Sequence, residues 1–226
     1  MMRAVIFDMY ETLTTLMTGP QCFSGDMAAL AGADVQRFRA AWRATEDDRM
    51  LGRLTFGEAT RRSLEACGAW SQAAYDAIMD KRAASREIRP ERLHPGILPM
   101  LEALRAGGVK VGLVTNCQSE EAAAIRRSVL WPYFDAPVLS FEAGAMKPDP
   151  AIFLRCTALL GVAPEECLYV GDGGSRELEA ASALGMRPLQ AAWYLLADER
   201  GRMQPTGRIA GFPQAEDPAD VPGYLK

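Results

Sequence analysis

The sequence predicts an α/β fold: a parallel sheet with helices on both faces and an inserted α-helical bundle. Three observations predict it. Short apolar runs, continuous rather than alternating, recur along the chain, as strands covered on both faces require. Segments of helical periodicity lie between them, two of them stopped by glycine. From residue 16 to residue 87 the rhythm gives way to helical patterns alone. Alternating strands and helices imply one parallel sheet with right-handed crossovers.

The elements follow in order. Ala4 to Phe7 is short and wholly apolar, the pattern of a central strand, and Asp8 stands at its C-terminal end. Val35 to Met50, Phe56 to Cys67 and Ser71 to Ser85 read as helices. Phe38 and Trp42 lie four apart, and Thr60, Leu64 and Cys67 form a second stripe. Ser71 is placed to cap the third helix. Consecutive helices with short loops make a small bundle. The sheet-forming part is therefore expected at residues 1–15 and 88–226, with the bundle at 16–87. Ile97 to Ala106 reads as a helix stopped by Gly107-Gly108, Val109 to Val114 as a strand, and Ser119 to Val129 as a helix. Val138 to Ser140 is a short strand. Asp149 is placed to cap a helix with Pro150 at its first position, where a missing N–H costs nothing, and Gly161 ends it. Cys167 to Val170 is a strand, followed by a glycine-rich turn and a helix ending near Gly185. Beyond Ala197 the chain is rich in proline and glycine, with an edge strand expected around Arg208 to Phe212 and then a loose tail.

The 226 residues suffice for one large domain, or one domain carrying a smaller insert. Acidic residues outnumber basic ones, 29 to 25, for a net charge of −4. That mild negative charge argues against an extended nucleic-acid surface. The five cysteines are scattered without metal spacing and read as free thiols in a reducing compartment. The first apolar run stops at Asp8, too short for a secretory signal, and no stretch approaches the ~18 apolar residues of a membrane span. A cytoplasmic protein with no membrane partner is expected. His94 is the single histidine, which disfavours a Ser-His-Asp hydrolase and a histidine-rich zinc site.

Polar chemistry gathers where strands end. The segments are Asp8 through Leu13, Val114-Thr115-Asn116, Met146-Lys147-Pro148-Asp149, and Gly171-Asp172 with Glu177 beyond it. In a parallel sheet these ends converge on one edge, where ligands bind. Asp8 is a candidate carboxylate nucleophile. Thr115 has a hydroxyl to offer an anionic group. Lys147 can neutralise the nucleophile or charge developing in a transition state. Asp8 and Asp172 together need an opposing charge, which Lys147 or a hard cation such as magnesium supplies.

On these four motifs, in this order and with helices inserted after the first, the chain resembles the haloacid-dehalogenase-like hydrolase superfamily, in its helical-cap (type C1) subgroup. The resemblance runs over roughly residues 3–195. It implies a Rossmann-like core, a helical cap over the site, and phosphoryl transfer to the first aspartate followed by hydrolysis. Asp8 would then be nucleophile and Mg2+ ligand, Tyr10 would lend only its backbone carbonyl to the metal, and Asp172 would be a further ligand. Thr115, Asn116 and Lys147 would hold the phosphoryl group of a small phosphorylated metabolite. Glu177, where the family has Asp, would orient Lys147 or a metal-bound water. A monomer or a homodimer is expected.

One departure stands out. The phosphatases carry a second aspartate two residues after the nucleophile, as acid and then base; this chain has Tyr10. A phenol is a poor base at neutral pH, and Glu11 beside it is the candidate replacement. Asp8-Met9-Tyr10 also resembles the L-2-haloacid dehalogenases, which displace halide with the same carboxylate and without magnesium. Their cap arginine would correspond to Arg43, which in either chemistry is the candidate contact for a substrate's anionic end. That pattern has Gly at Glu11, Tyr at Phe153, and Ser and Asn at Asp172 and Gly174. Asp172 favours magnesium and phosphate. A weakly active, ligand-binding member is the third reading.

Overall fold

The computed structural model describes residues 2–195 and 207–226. Six parallel strands form one sheet in the order β3-β2-β1-β4-β5-β6. They are β1 (Ala4–Phe7), β2 (Lys110–Thr115), β3 (Ala136–Leu139), β4 (Cys167–Gly171), β5 (Arg187–Ala191) and β6 (Gln214–Ala215). β1 is flanked by β2 and β4, in register from Ala4↔Lys110 and Ala4↔Cys167. The strand order reverses at β1, so the crevice at its C-terminal end is the switch point where such sheets bind ligands.

Period-two alternation divides each strand between two apolar layers. Val5, Phe7, Leu168 and Val170 pack on one face with α6 (Ile97–Ala106) and α7 (Ser119–Arg127). Ala4, Ile6, Cys167 and Tyr169 pack on the other with α9 (Pro150–Leu160) and α10 (Glu177–Ala183). Burial on both faces is why these strands read as unbroken apolar runs. Asp149 caps α9 by accepting from the Ala151 N–H, Pro150 is its first residue, and Gly161 closes it at φ 63°. A four-residue helix, α8 (Ser140–Ala143), follows β3.

The inserted helices are α1 (Ser24–Leu30), α2 (Val35–Arg43), α3 (Glu46–Met50), α4 (Phe56–Ala66) and α5 (Gln72–Arg86). They share a third apolar cluster that includes Met27, Phe38, Trp42, Phe56, Leu64 and Ile78. Phe38 stacks on Trp42, and Trp42 meets Phe56 edge-on at 5.4 Å. Ser71 caps α5 through the Ala74 N–H. The seam between cap and core carries charge. Arg82 reaches Glu120 at 2.7 Å and Glu121 at 2.9 Å, and Arg86 reaches Glu121 at 2.8 Å.

The structure corrects four expectations. The helix expected over Val35 to Met50 is two, α2 and α3, broken at Ala44-Thr45; the Thr45 hydroxyl donates to the Trp42 carbonyl, competing with helix continuation. Helix α1 was not expected, because its Gly25 and Ala-rich face carry little periodicity. Strand β5 was missed because Pro188 argues against a strand. The Gln190 and Ala192 N–H groups bond to Pro213 and Ala215, so Pro188, of the same parity, turns its hydrogen-free nitrogen to the side where β6 has not yet begun. Finally, the edge strand is Gln214–Ala215 rather than Arg208 to Phe212. The tail after it is a 3-10 helix, Pro218–Leu225, whose Val221 is fully buried in the α6 layer. The intervening residues 196–206 of that expectation lie outside the described residues.

Candidate active site

Asp8 leaves β1 at the sheet's C-terminal edge, its N–H donating to the Val170 carbonyl of β4 at 2.9 Å. Thr115 is the last residue of β2, and Asp172 directly follows β4. Lys147 comes from the loop between α8 and α9, drawn in by Asn116. The Asn116 amide accepts from the Lys147 N–H at 2.7 Å and donates to the Lys147 carbonyl at 3.0 Å. Parallel pairing thus brings the four motifs together, and a cavity of about 250 Å³ opens on Asp8, Tyr10, Glu11, Thr115, Lys147 and Asp172.

At its floor the Lys147 ammonium donates to Asp8 Oδ1 at 2.6 Å and also to Glu177 Oε2. All three side chains are almost wholly buried. Burial works against the charged ammonium, yet Asp8 and Glu177 hold the Lys147 pKa above the usual lysine value. Burial pushes the Asp8 and Glu177 carboxyls up, Lys147 draws both down, and Asp172 adds to the push. Asp8, Asp172 and Glu177 each bring a carboxylate oxygen within 4.8 Å of the others.

Glu177 is held from several sides. Its Oε2 also accepts from the Tyr169 hydroxyl at 2.9 Å, and its Oε1 accepts from the Gly173 N–H at 3.1 Å. Its approach depends on Gly171, where a Cβ would come within 2.1 Å of Glu177 Oε1. Gly171→Ala is therefore expected to force Glu177 off its partners and to cost about 1–3 kcal/mol. Urea unfolding reads this directly; an unchanged midpoint would mean that the backbone yields instead.

Tyr10 and Glu11 diverge. The Tyr10 hydroxyl is buried without a hydrogen-bond partner. Burial pushes its pKa well up, and Glu121, Cys117 and Arg86 act on it, so it faces the start of α7. Glu11 has φ 57°, the left-handed region that non-glycine residues rarely enter, at roughly 1–2 kcal/mol. This turn brings its carboxylate to the cavity wall, where it accepts from the Thr15 hydroxyl at 2.6 Å and the Leu16 N–H at 2.8 Å. Burial pushes the Glu11 carboxyl up, against those two hydrogen bonds. The Thr115 hydroxyl is buried and unpartnered at the cavity.

Arg43 is not brought to the site. Phe38 and Trp42 fix the buried face of α2, and the next residue points about 100° away, into solvent. Another arginine of the same segment, Arg49, does reach the core: it donates to Gln118 Oε1 at 3.1 Å and lies 3.6 Å over the Trp42 ring. Sequence reasoning missed it, together with Tyr169 and Gln190. The Gln190 amide holds the Asp172 carbonyl at 2.8 Å. Position alone offered a signal for Tyr169: it is a polar-tipped residue in an otherwise apolar strand, two before the acidic loop.

An open parallel sheet with an acidic pocket at its switch point, roofed by inserted helices, defines a class of hydrolase. A model of the haloacid dehalogenase-like hydrolases matches residues 2–185, and the chain belongs to that family and is a hydrolase. It is 28% identical over 202 residues to a phosphoglycolate phosphatase of Xanthomonas campestris, covering 87% of this chain and 86% of that one. It is 27% identical over 215 residues to the rhythmically expressed gene 2 protein of Drosophila melanogaster, covering 81% and 80%. A 2-haloacid dehalogenase from Pseudomonas syringae pv. Tomato shares the fold, with TM-score 0.73 and 22% identity over 100% and 98% of the two chains. No helix among the described residues is long and apolar enough to cross a membrane.

Proposed function

We propose that the protein is a magnesium-dependent phosphatase of small phosphomonoesters, with Asp8 as nucleophile. The observation that carries this reading is the gathering of Asp8, Asp172 and Glu177 oxygens within 4.8 Å. These are hard donors of the kind Mg2+ takes. The group fits the donor chemistry: Asp8, Asp172 and the Tyr10 carbonyl would hold the ion, with Glu177 holding Lys147 beside them. Bound there, magnesium would neutralise charge on the phosphoryl oxygens.

The chain's own residues do the rest. An Asp8 oxygen attacks phosphorus as the bond to the leaving oxygen breaks. Lys147 keeps Asp8 ionised and faces the developing charge, with Glu177 and Tyr169 fixing its position. The Thr115 hydroxyl holds the transferred group, while the Asn116 amide, engaged on the Lys147 backbone, keeps Lys147 in place. Burial holds the Tyr10 phenol well above its usual pKa, which makes it a poor base, so Glu11 gives the leaving alkoxide its proton and takes one from the water that cleaves the aspartyl-phosphate. Its strained backbone is consistent with such a role. Glu11→Gln is expected to slow first-turnover alcohol release from alkyl phosphates about 10²–10³-fold and to spare the first-turnover burst of 4-nitrophenol, whose leaving group needs no proton, while steady turnover of both falls because the water step is shared. Equal losses in that first turnover would assign Glu11 to shaping the turn alone.

Tyr10 in the first motif keeps dehalogenation as a second reading. Against it, a 2-haloacid would place its carboxylate beside Glu11 and Asp172, an unfavourable pairing. Purified protein incubated with phosphomonoesters and with 2-chloropropionate, with magnesium and with chelator, decides between them. Magnesium-dependent phosphate release is expected. Chelator-insensitive chloride release would overturn the proposal, and metal binding without turnover would favour a ligand-binding protein.

A further inference from the structure

The mouth of the Asp8 cavity differs in character from its floor. Leu16, Met17 and Phe23, from the segment entering the cap, form the outer wall, and Glu11 stands beside them. Lys147 is the one cation lining this cavity among the described residues, and it is taken by Asp8 and Glu177. The nearby arginines are engaged elsewhere. Arg49 is on Gln118 and the Trp42 carbonyl, Arg82 on Glu120 and Glu121, and Arg86 on Glu121. Arg86 also lies 5.5 Å from the Phe23 ring, on which it stacks. Arg176 lines an adjoining cavity of about 480 Å³, whose wall also carries Glu46 and Asp47.

A substrate's leaving group therefore meets apolar side chains and a carboxylate, not a counter-charge. Placing a carboxylate against Glu11 and an apolar wall costs its desolvation with nothing in return. We infer that the leaving group is a small uncharged alcohol with an apolar end, and that phosphoesters bearing a second anionic group are rejected. This rests on the phosphatase reading and narrows it. It also separates this chain from what the name of its Xanthomonas relative would suggest.

The test uses two esters that differ at one position. Phosphoglycolate carries a carboxylate oxygen where hydroxyacetone phosphate carries a methyl group, and the two are otherwise alike in size. With magnesium present, kcat/KM is expected to be about 10²-fold higher for hydroxyacetone phosphate, the scale on which an unpaired charge is rejected. Met17 is on the exposed rim, so Met17→Arg can place a cation at the mouth without disturbing packing. It is expected to narrow the ratio at least tenfold, whereas the neutral Met17→Gln keeps it. Equal or better turnover of phosphoglycolate by the unaltered protein would overturn the inference and leave the phosphatase reading standing. Phosphate release from neither ester, nor from 4-nitrophenyl phosphate, would overturn both.

Discussion

Asp8→Asn is expected to remove phosphate release by at least about 10⁴-fold, the scale on which hydrolases respond to loss of their nucleophile. It is expected to do so without unfolding the protein. The Asp8 carboxyl is buried among Asp172 and Glu177, and burial already favours its neutral form. An amide in its place relieves like-charge repulsion, and Lys147 keeps Glu177 as a partner. Thermal unfolding without metal should therefore occur at or above the temperature of the unaltered protein. The rise that magnesium gives the unaltered protein, which grows with the logarithm of ion concentration, should shrink in the variant. Retained turnover would reject Asp8 as nucleophile. A large loss of stability would mean that its charge holds the loop rather than reacting.

Lys147→Met carries the second large effect, and its sign is opposite for stability. The change keeps the aliphatic stem and deletes the ammonium that touches Asp8 and Glu177. Breaking a buried pair by removing one partner costs about 3–5 kcal/mol, because the remaining charge is left without compensation. Turnover should fall with it. Magnesium should restore part of the lost stability, since a divalent ion beside Asp8 and Asp172 supplies some of the missing positive charge. Urea unfolding with and without magnesium reads both terms. A variant as stable as the unaltered protein would show that Lys147 does not balance these carboxylates.

The parts of the site legible in the sequence share one property: they sit where a strand ends. β1, β2 and β4 announce themselves as apolar runs, and parallel pairing then fixes Asp8, Thr115 and Asp172 on one edge. Lys147 was legible as a motif, but its route into the site runs through two hydrogen bonds to Asn116 that no spacing encodes. Side-chain direction was not legible at all. Tyr10 and Glu11 are neighbours that both line Asp8's cavity, and the φ of 57° at Glu11 that sets its carboxylate at the wall is not encoded by any spacing. Arg43 and Arg49 both lie in the segment read as one helix. The break at Thr45 resets the phase between them, so the arginine nearer the stripe in sequence points outward and the later one reaches the core. Strand β5 was hidden by Pro188, whose tolerance depends on where β6 begins, a long-range fact.

The charged seam between α5 and α7 bears on how interchangeable caps are. Glu121 is almost wholly buried and answered by Arg82 and Arg86, both from the inserted segment. For this core the insertion is thus a source of counter-ions as well as a roof. Deleting it, or grafting in a cap from another member of the family, would strand that acid at the base of the loop carrying Thr115 and Asn116. A compatible donor helix has to bring two guanidinium groups into register with Glu121, a criterion that can be read from a candidate sequence before any chimera is built.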